Sequence, residues 1–140
     1  MTRRLLLATL AVAALLIGSA AGLLAHAPQA HASTTKNFYV TLYGWPDNSP
    51  PGGDIAYPKD GGYPTIHNSA GGTGTYANPI TYATDQSELA VGTKVYYPYL
   101  HRYFIMEDDC AECDQDWNDS GKYHIDLWIG GQNGNSSDVI

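Results

Sequence analysis

Residues 123 to 129 alternate in polarity. Tyr123, Ile125, Leu127 and Ile129 fall on one side of an extended chain, and His124, Asp126 and Trp128 fall on the other. The apolar side predicts a core-facing strand over residues 122–129. Phe38 to Tyr43 is aromatic and β-branched and predicts the first strand, and Pro79 to Thr84 predicts another. Lys94 to Tyr97 and Arg102 to Glu107 read as a hairpin across the tight connection 98–101. Between these elements, Gly and Pro punctuate the chain. Residues 44–53 form a loop, residues 54–75 are irregular with a short strand over 65–67, and residues 85–89 make one helical turn. Asp108 to Gly121 reads as an acidic loop. There is no internal repeat and no long amphipathic helix, so several short strands predict an all-β fold, a small barrel.

One segment stands outside this pattern. Leu5 to Leu24 is an almost unbroken apolar run behind a short basic start, followed by Ala25-His26-Ala27 and Ala30-His31-Ala32. A basic head, an apolar middle and small-residue cleavage sites are the grammar of a secretory signal. The expectation is a signal peptide over 1–32, a domain over 33–140 and a secreted, extracellular protein. A retained anchor is the competing reading, because about 20 apolar residues can span a bilayer. Thr2-Arg3-Arg4-Leu5-Leu6 also hints at twin-arginine export.

Charge narrows the partners. Beyond Arg3 and Arg4, five basic residues face fourteen acidic ones. Such a surface repels phosphate backbones, which sets nucleic acid aside, and it argues against anionic membrane surfaces once the leader is gone. Neutral glycans and cationic partners remain. The chain is expected to be monomeric and to need no cofactor. Eleven Tyr and three Trp suit a β-rich surface that makes contacts.

Cys110 and Cys113 sit among Glu107, Asp108, Asp109, Glu112 and Asp114. An exported chain meets an oxidising compartment, and negative neighbours oppose a reactive thiolate. Two thiols are only half of a zinc site, which His67, His101 or His124 would have to complete. The expectation is a local disulfide that shapes the loop before Asp126, with no metal bound. Asp114-x-Asp116-x-Asn118 opens like a calcium loop, but Asp119 and Ile125 stand where such a loop needs Gly and Glu. Looser calcium binding by this acidic loop stays open. Gly71 to Thr75 lacks the Lys and flanking helix of a phosphate loop, and no Ser lies in a nucleophile elbow.

The His124, Asp126 and Trp128 face is a candidate groove. The competing reading is an Asp that binds turn amides under local cover. Tyr43, Trp45, Tyr57, Tyr63 and Tyr76 lie on or near the loops of the first half, and such rings either stack on sugars, grip protein partners or cover a small core.

Several stretches carry a family resemblance. Thr84-Asp85, Leu89 to Tyr96 with its Val-Gly-Thr turn, Tyr103 to Asp109 and His124-Ile125-Asp126-Leu127 occur in the order of a six-stranded double-psi β-barrel. The spacing is similar to rare-lipoprotein-A-like domains, three-aspartate domains of bacterial cell-wall enzymes, and expansin and barwin barrels. Val40 to Gly44 is similar to their first strand. The resemblance implies long loops, at most short helical turns, and three acids: Asp85, Asp108 and Asp126, with Asp126 in the position of a catalytic acid. It implies action on cell-wall polysaccharide, by binding or weak lysis, through a groove holding His124, Trp128, Tyr43, Trp45 and Asp109. Papain inhibitors secreted by Streptomyces belong to the same superfamily, so inhibition of a cysteine protease is the alternative expectation. Asp109 to Cys113 departs from the three-aspartate pattern, which weighs against catalysis.

Overall fold

The computed structural model describes residues 34–48 and 50–130. The leader expected over 1–32 and the polar tail after Gly130 lie outside the described residues. The elements are β1 (Tyr39–Tyr43), a 3-10 turn (Lys59–Gly61), β2 (Ile80–Ala83), β3 (Lys94–Tyr97), β4 (Arg102–Asp108), α1 (Ala111–Ser120) and β5 (His124–Trp128). The five strands form one sheet in the order β1-β5-β2-β4-β3, curled into half a barrel. Strand β5 runs parallel to β1 and antiparallel to β2, β2 runs parallel to β4, and β3 and β4 make the expected hairpin.

Register sorts the side chains into two faces. Ile80, Tyr82, Phe104, Met106, Ile125 and Leu127 share the inner face and are all buried. Tyr82, Phe104, Met106 and Leu127 have no exposed surface, so this face is the core. Each such side chain contributes about 1.5–3 kcal/mol by leaving water. The turn into β3 relies on Gly92, whose φ is 84° and whose absent Cβ would stand 2.3 Å from the Pro64 carbonyl oxygen. Only a residue without a side chain fits that conformation and that approach.

Three expectations need correction. First, residues 111–120 are a ten-residue α-helix, not a loop. Cys110 caps it by accepting the Cys113 N–H on sulfur at 3.1 Å. Glu112 and Asp114 lie in its first turn, where the helix dipole favours acids. Gly121 ends it in the left-handed conformation, donating to the carbonyls of Asp116 and Trp117. Second, residues 65–67 do not pair as a strand, because the N–H groups of Ile66 and His67 point at the Glu107 carboxylate. Third, no sixth strand occurs among the described residues.

The outer face of β5 also departs from a simple solvent face. His124 and Trp128 are only 4% exposed. Helix α1 packs across β5, and the Trp128 ring meets Tyr43 edge-on at 5.2 Å. The strand is therefore sandwiched, and both sides of its alternation are buried except at Asp126.

Candidate functional site

Thr41, Asp126, Ala83 and Asp108 stand side by side in one row across β1, β5, β2 and β4. A β-bulge makes this row. The register slips between Tyr82 and Ala83, so Asp108 stands opposite Ala83. Glu107 bonds Thr81 on the same outer face, so two consecutive acids lie on one side of the sheet. Simple alternation would have sent them apart.

A polar pocket of about 570 Å³ opens on this face. Asp126, His124, Thr41 and Ala83 come from the sheet; Asp47, Asp109, Cys110 and Glu112 come from the loops and the start of α1. Asp126 is half-buried, and its Oδ1 has no hydrogen-bond partner. Burial raises its pKa above the ordinary aspartate range, and the Glu112 and Asp47 carboxylates push the same way. The Thr41 hydroxyl and the His124 imidazole oppose this without cancelling it. His124 is held at both ring nitrogens, Nδ1 against Asp116 Oδ2 at 2.8 Å and Nε2 against Thr41 Oγ1 at 2.9 Å. Asp116 stays anionic because its hydrogen bond to Lys122 pulls its pKa down. The Asp116 carboxylate thus accepts a hydrogen bond from the Nδ1–H and fixes the ring.

Of the residues expected at the site, Asp126, His124, Tyr43, Asp109 and Cys110 line this pocket. Asp108 shares the row but is spent on structure. Its Oδ2 accepts from the Tyr43 hydroxyl at 2.8 Å, and its Oδ1 accepts from the backbone N–H groups of Ala56 and Asp109. Burial still raises its pKa, against those three bonds. Asp85 is buried as the cap of the helical turn at 85–89, where it accepts from the Ser87 N–H. The carboxylate pressure on Asp126 therefore comes from Glu112 and Asp47, not from Asp85 and Asp108 as expected. Trp128 is packed against Tyr43, and Trp45 packs against the core. Neither indole reaches the pocket.

Tyr43 to Phe removes only the hydroxyl that serves Asp108. A buried hydrogen bond to a charged group is worth roughly 1.5–3 kcal/mol. The variant should lose about 1.5 kcal/mol in urea unfolding, because two amide donors still hold Asp108. A loss of twice that would mean the ring itself had moved.

Cys110 and Cys113 form the expected disulfide. Their sulfurs and a ring nitrogen of His124 lie within 4.8 Å of one another. His124, rather than His67 or His101, is thus the imidazole that stands by the pair. Bonded to each other, the sulfurs offer no thiolate for a metal.

Two acids that matter were not singled out from the sequence. Glu107 has no exposed surface. Its Oε1 accepts from the N–H groups of Ile66 and His67, and its Oε2 meets His67 Nδ1 at 2.6 Å and the Thr81 hydroxyl at 2.9 Å. Glu88 accepts the His124 N–H on Oε2, while its Oε1 is buried without a partner. A lone acid inside the run Phe104-Ile105-Met106-Glu107 was the available signal, since such a residue must find a donor.

A curled sheet carrying a polar pocket, closed on one side by a disulfide-capped helix, defines a small sheet-and-helix domain with an acidic recess. The chain belongs to the family described as the DDB_G0273701 N-terminal domain, whose model matches residues 35–140. An uncharacterized protein of Dictyostelium discoideum, DDB_G0273701/DDB_G0273221, is 53% identical over 91 residues. The match covers 65% of this chain and 38% of that relative, so the chain spans well under half of the relative's length. No solved structure matches the chain.

Proposed function

We propose that this chain belongs to a secreted protein and folds as a domain of the double-psi barrel class that binds cell-wall polysaccharide in the Asp126 pocket. Two parallel strand pairs, β1 with β5 and β2 with β4, joined through antiparallel β2 and β5, support the barrel class. The carrying observation is the Asp126 carboxyl on the pocket wall, half-buried, with its pKa raised by burial and its buried Oδ1 left without a partner inside the protein. Such a carboxyl accepts from a sugar hydroxyl when ionised, and both donates and accepts when protonated. Acidic walls suit an uncharged glycan better than any polyanion.

Binding is favoured over cleavage. Glycoside hydrolysis uses two carboxyl groups flanking the scissile bond. Asp108 and Asp85, the acids the resemblance would assign, are committed to Tyr43, backbone amides and a turn. The test is co-sedimentation of the purified protein with insoluble peptidoglycan, chitin and cellulose at mildly acidic pH. Retention on one of them without release of reducing ends is expected. Recovery in every supernatant would end this reading.

Exposed loop tyrosines support a second reading, inhibition of a papain-like cysteine protease by an inserted loop. Tyr99 is 83% exposed and Tyr76 is 65% exposed. Aromatic loops on a rigid sheet suit a protein cleft. Titration against papain separates the two: inhibition untouched by Asp126→Asn belongs to this second reading alone.

A further inference from the structure

We propose that the Cys110–Cys113 disulfide is a thiol–disulfide exchange site, with Cys110 as the sulfur that a small thiol attacks through the pocket. This goes beyond glycan binding and does not depend on it.

The placement of the two sulfurs differs in the way exchange requires. Cys110 lines the pocket, whereas Cys113 has no exposed surface. Cys110 keeps only 5% of its surface, at the pocket wall, so an incoming thiolate meets this residue before Cys113. Cys110 stands at the N-cap of a ten-residue helix, and its sulfur already accepts the Cys113 N–H at 3.1 Å. That N–H and the positive end of the helix favour a thiolate on Cys110 once the bond opens. His124 adds a second, independent group. A ring nitrogen lies within 4.8 Å of both sulfurs, and Asp116 holds the ring from Nδ1. The acidic sequence around the pair had argued against redox work, but a helix start and an imidazole were not legible there.

The step balances as follows. A substrate thiolate attacks Cys110 Sγ and forms a mixed disulfide as the Cys110–Cys113 bond breaks. The electron pair leaves on Cys113 as a thiolate, which takes up the proton that the attacking thiol gave to solvent. A second thiol of the same dithiol substrate then attacks its own sulfur in the mixed disulfide. Cys110 departs as a thiolate, the substrate becomes a disulfide, and the protein has gained two electrons. The substrate class is a small dithiol or an exposed pair of protein cysteines. Asp47, Asp109 and Glu112 around the opening select against anionic thiols.

The test uses the wild-type protein in its oxidised form. It is exposed to dithiothreitol, to cysteamine and to glutathione, quenched by alkylation and mapped by mass spectrometry, with near-ultraviolet circular dichroism recorded throughout. Three results are expected: the native signal survives reduction, the mixed disulfide is found on Cys110, and cysteamine reacts faster than glutathione by about tenfold at matched thiolate concentration. In Cys113→Ser the remaining thiol should be alkylated roughly a hundredfold faster than the thiol of Cys110→Ser. The proposal is overturned if the disulfide resists dithiothreitol until the protein unfolds, if reduction itself melts the fold, or if the adduct maps to Cys113. Should either variant fail to fold, the wild-type mapping still decides.

Discussion

Asp126→Asn is expected to weaken glycan retention by at least about tenfold while making the fold more stable at neutral pH, a loss that corresponds to roughly 1.4 kcal/mol or more. The two effects have one cause. Burial raises the native pKa of Asp126 above its unfolded value, so a charged carboxylate is disfavoured in the folded chain. Above the raised native value the fold carries that penalty in full. As pH falls through it, protonation relieves the penalty, and below the ordinary value of about 3.9 the native and unfolded states are both neutral. The Asn variant should therefore melt higher than the wild type at pH 7, by a gain on the order of 1 kcal/mol after allowance for partial exposure. The gain should vanish at acid pH. Asn puts an NH2 that only donates where the carboxyl has an oxygen that can accept as well, so the hydrogen-bond pattern offered to the sugar is changed and binding suffers where stability improves. Parallel melting curves at pH 7 and pH 3.5 check the sign. A variant less stable at neutral pH would show that the carboxylate is paired and not stranded.

Glu107→Ala should cost more than any other single change in the outer face, about 3–5 kcal/mol. Four donors converge on this carboxylate: two backbone N–H groups, the His67 ring and the Thr81 hydroxyl. Removing it leaves the two backbone N–H groups and the His67 Nδ1 without that acceptor, while the Thr81 hydroxyl keeps only a long bond to the Gly71 carbonyl, and each buried orphan costs about 1–3 kcal/mol before relaxation. The loop over residues 65–71 would lose its anchor, and His67 would lose the partner that aims its Nε2 at Asn78. Since domains of this size carry about 5–15 kcal/mol in total, the variant should be close to unfolding at room temperature. Glu107→Gln should fall between, because its amide oxygen still serves two donors. Urea unfolding of the three proteins measures this directly. A loss under 1 kcal/mol for the alanine variant would mean that water reaches the site.

Strands were readable where one face of the chain had to be apolar. Alternation placed β5 and put His124 and Asp126 together, and aromatic and β-branched residues marked β1, β2 and the β3–β4 hairpin. Helix α1 was not readable because it buries only Cys113, so there is no apolar stripe to see, and its cap is a sulfur. The roles of Asp85 and Asp108 were hidden for another reason. Ser87 lies next door to Asp85, but the groups that claim Asp108 come from Tyr43 and Ala56, far away in the chain. The bulge that brings Glu107 and Asp108 to one face is set by pairing with β2, not by local sequence. The alternation of β5 left Trp128 on the face expected to be open, but the Tyr43 ring from β1 packs against it and it is buried.

The glycan reading rests on one half-buried carboxyl group on the wall of an open recess, its pKa raised by burial. The most direct measurement is a pH titration of the Asp126 carboxyl carbon by nuclear magnetic resonance, repeated with soluble wall glycan fragments. The account predicts a midpoint above the ordinary aspartate value of about 3.9 and a resonance that moves when glycan is added, while the Asp85 signal stays still. A midpoint at or below that value, together with a signal indifferent to every glycan offered, would contradict it.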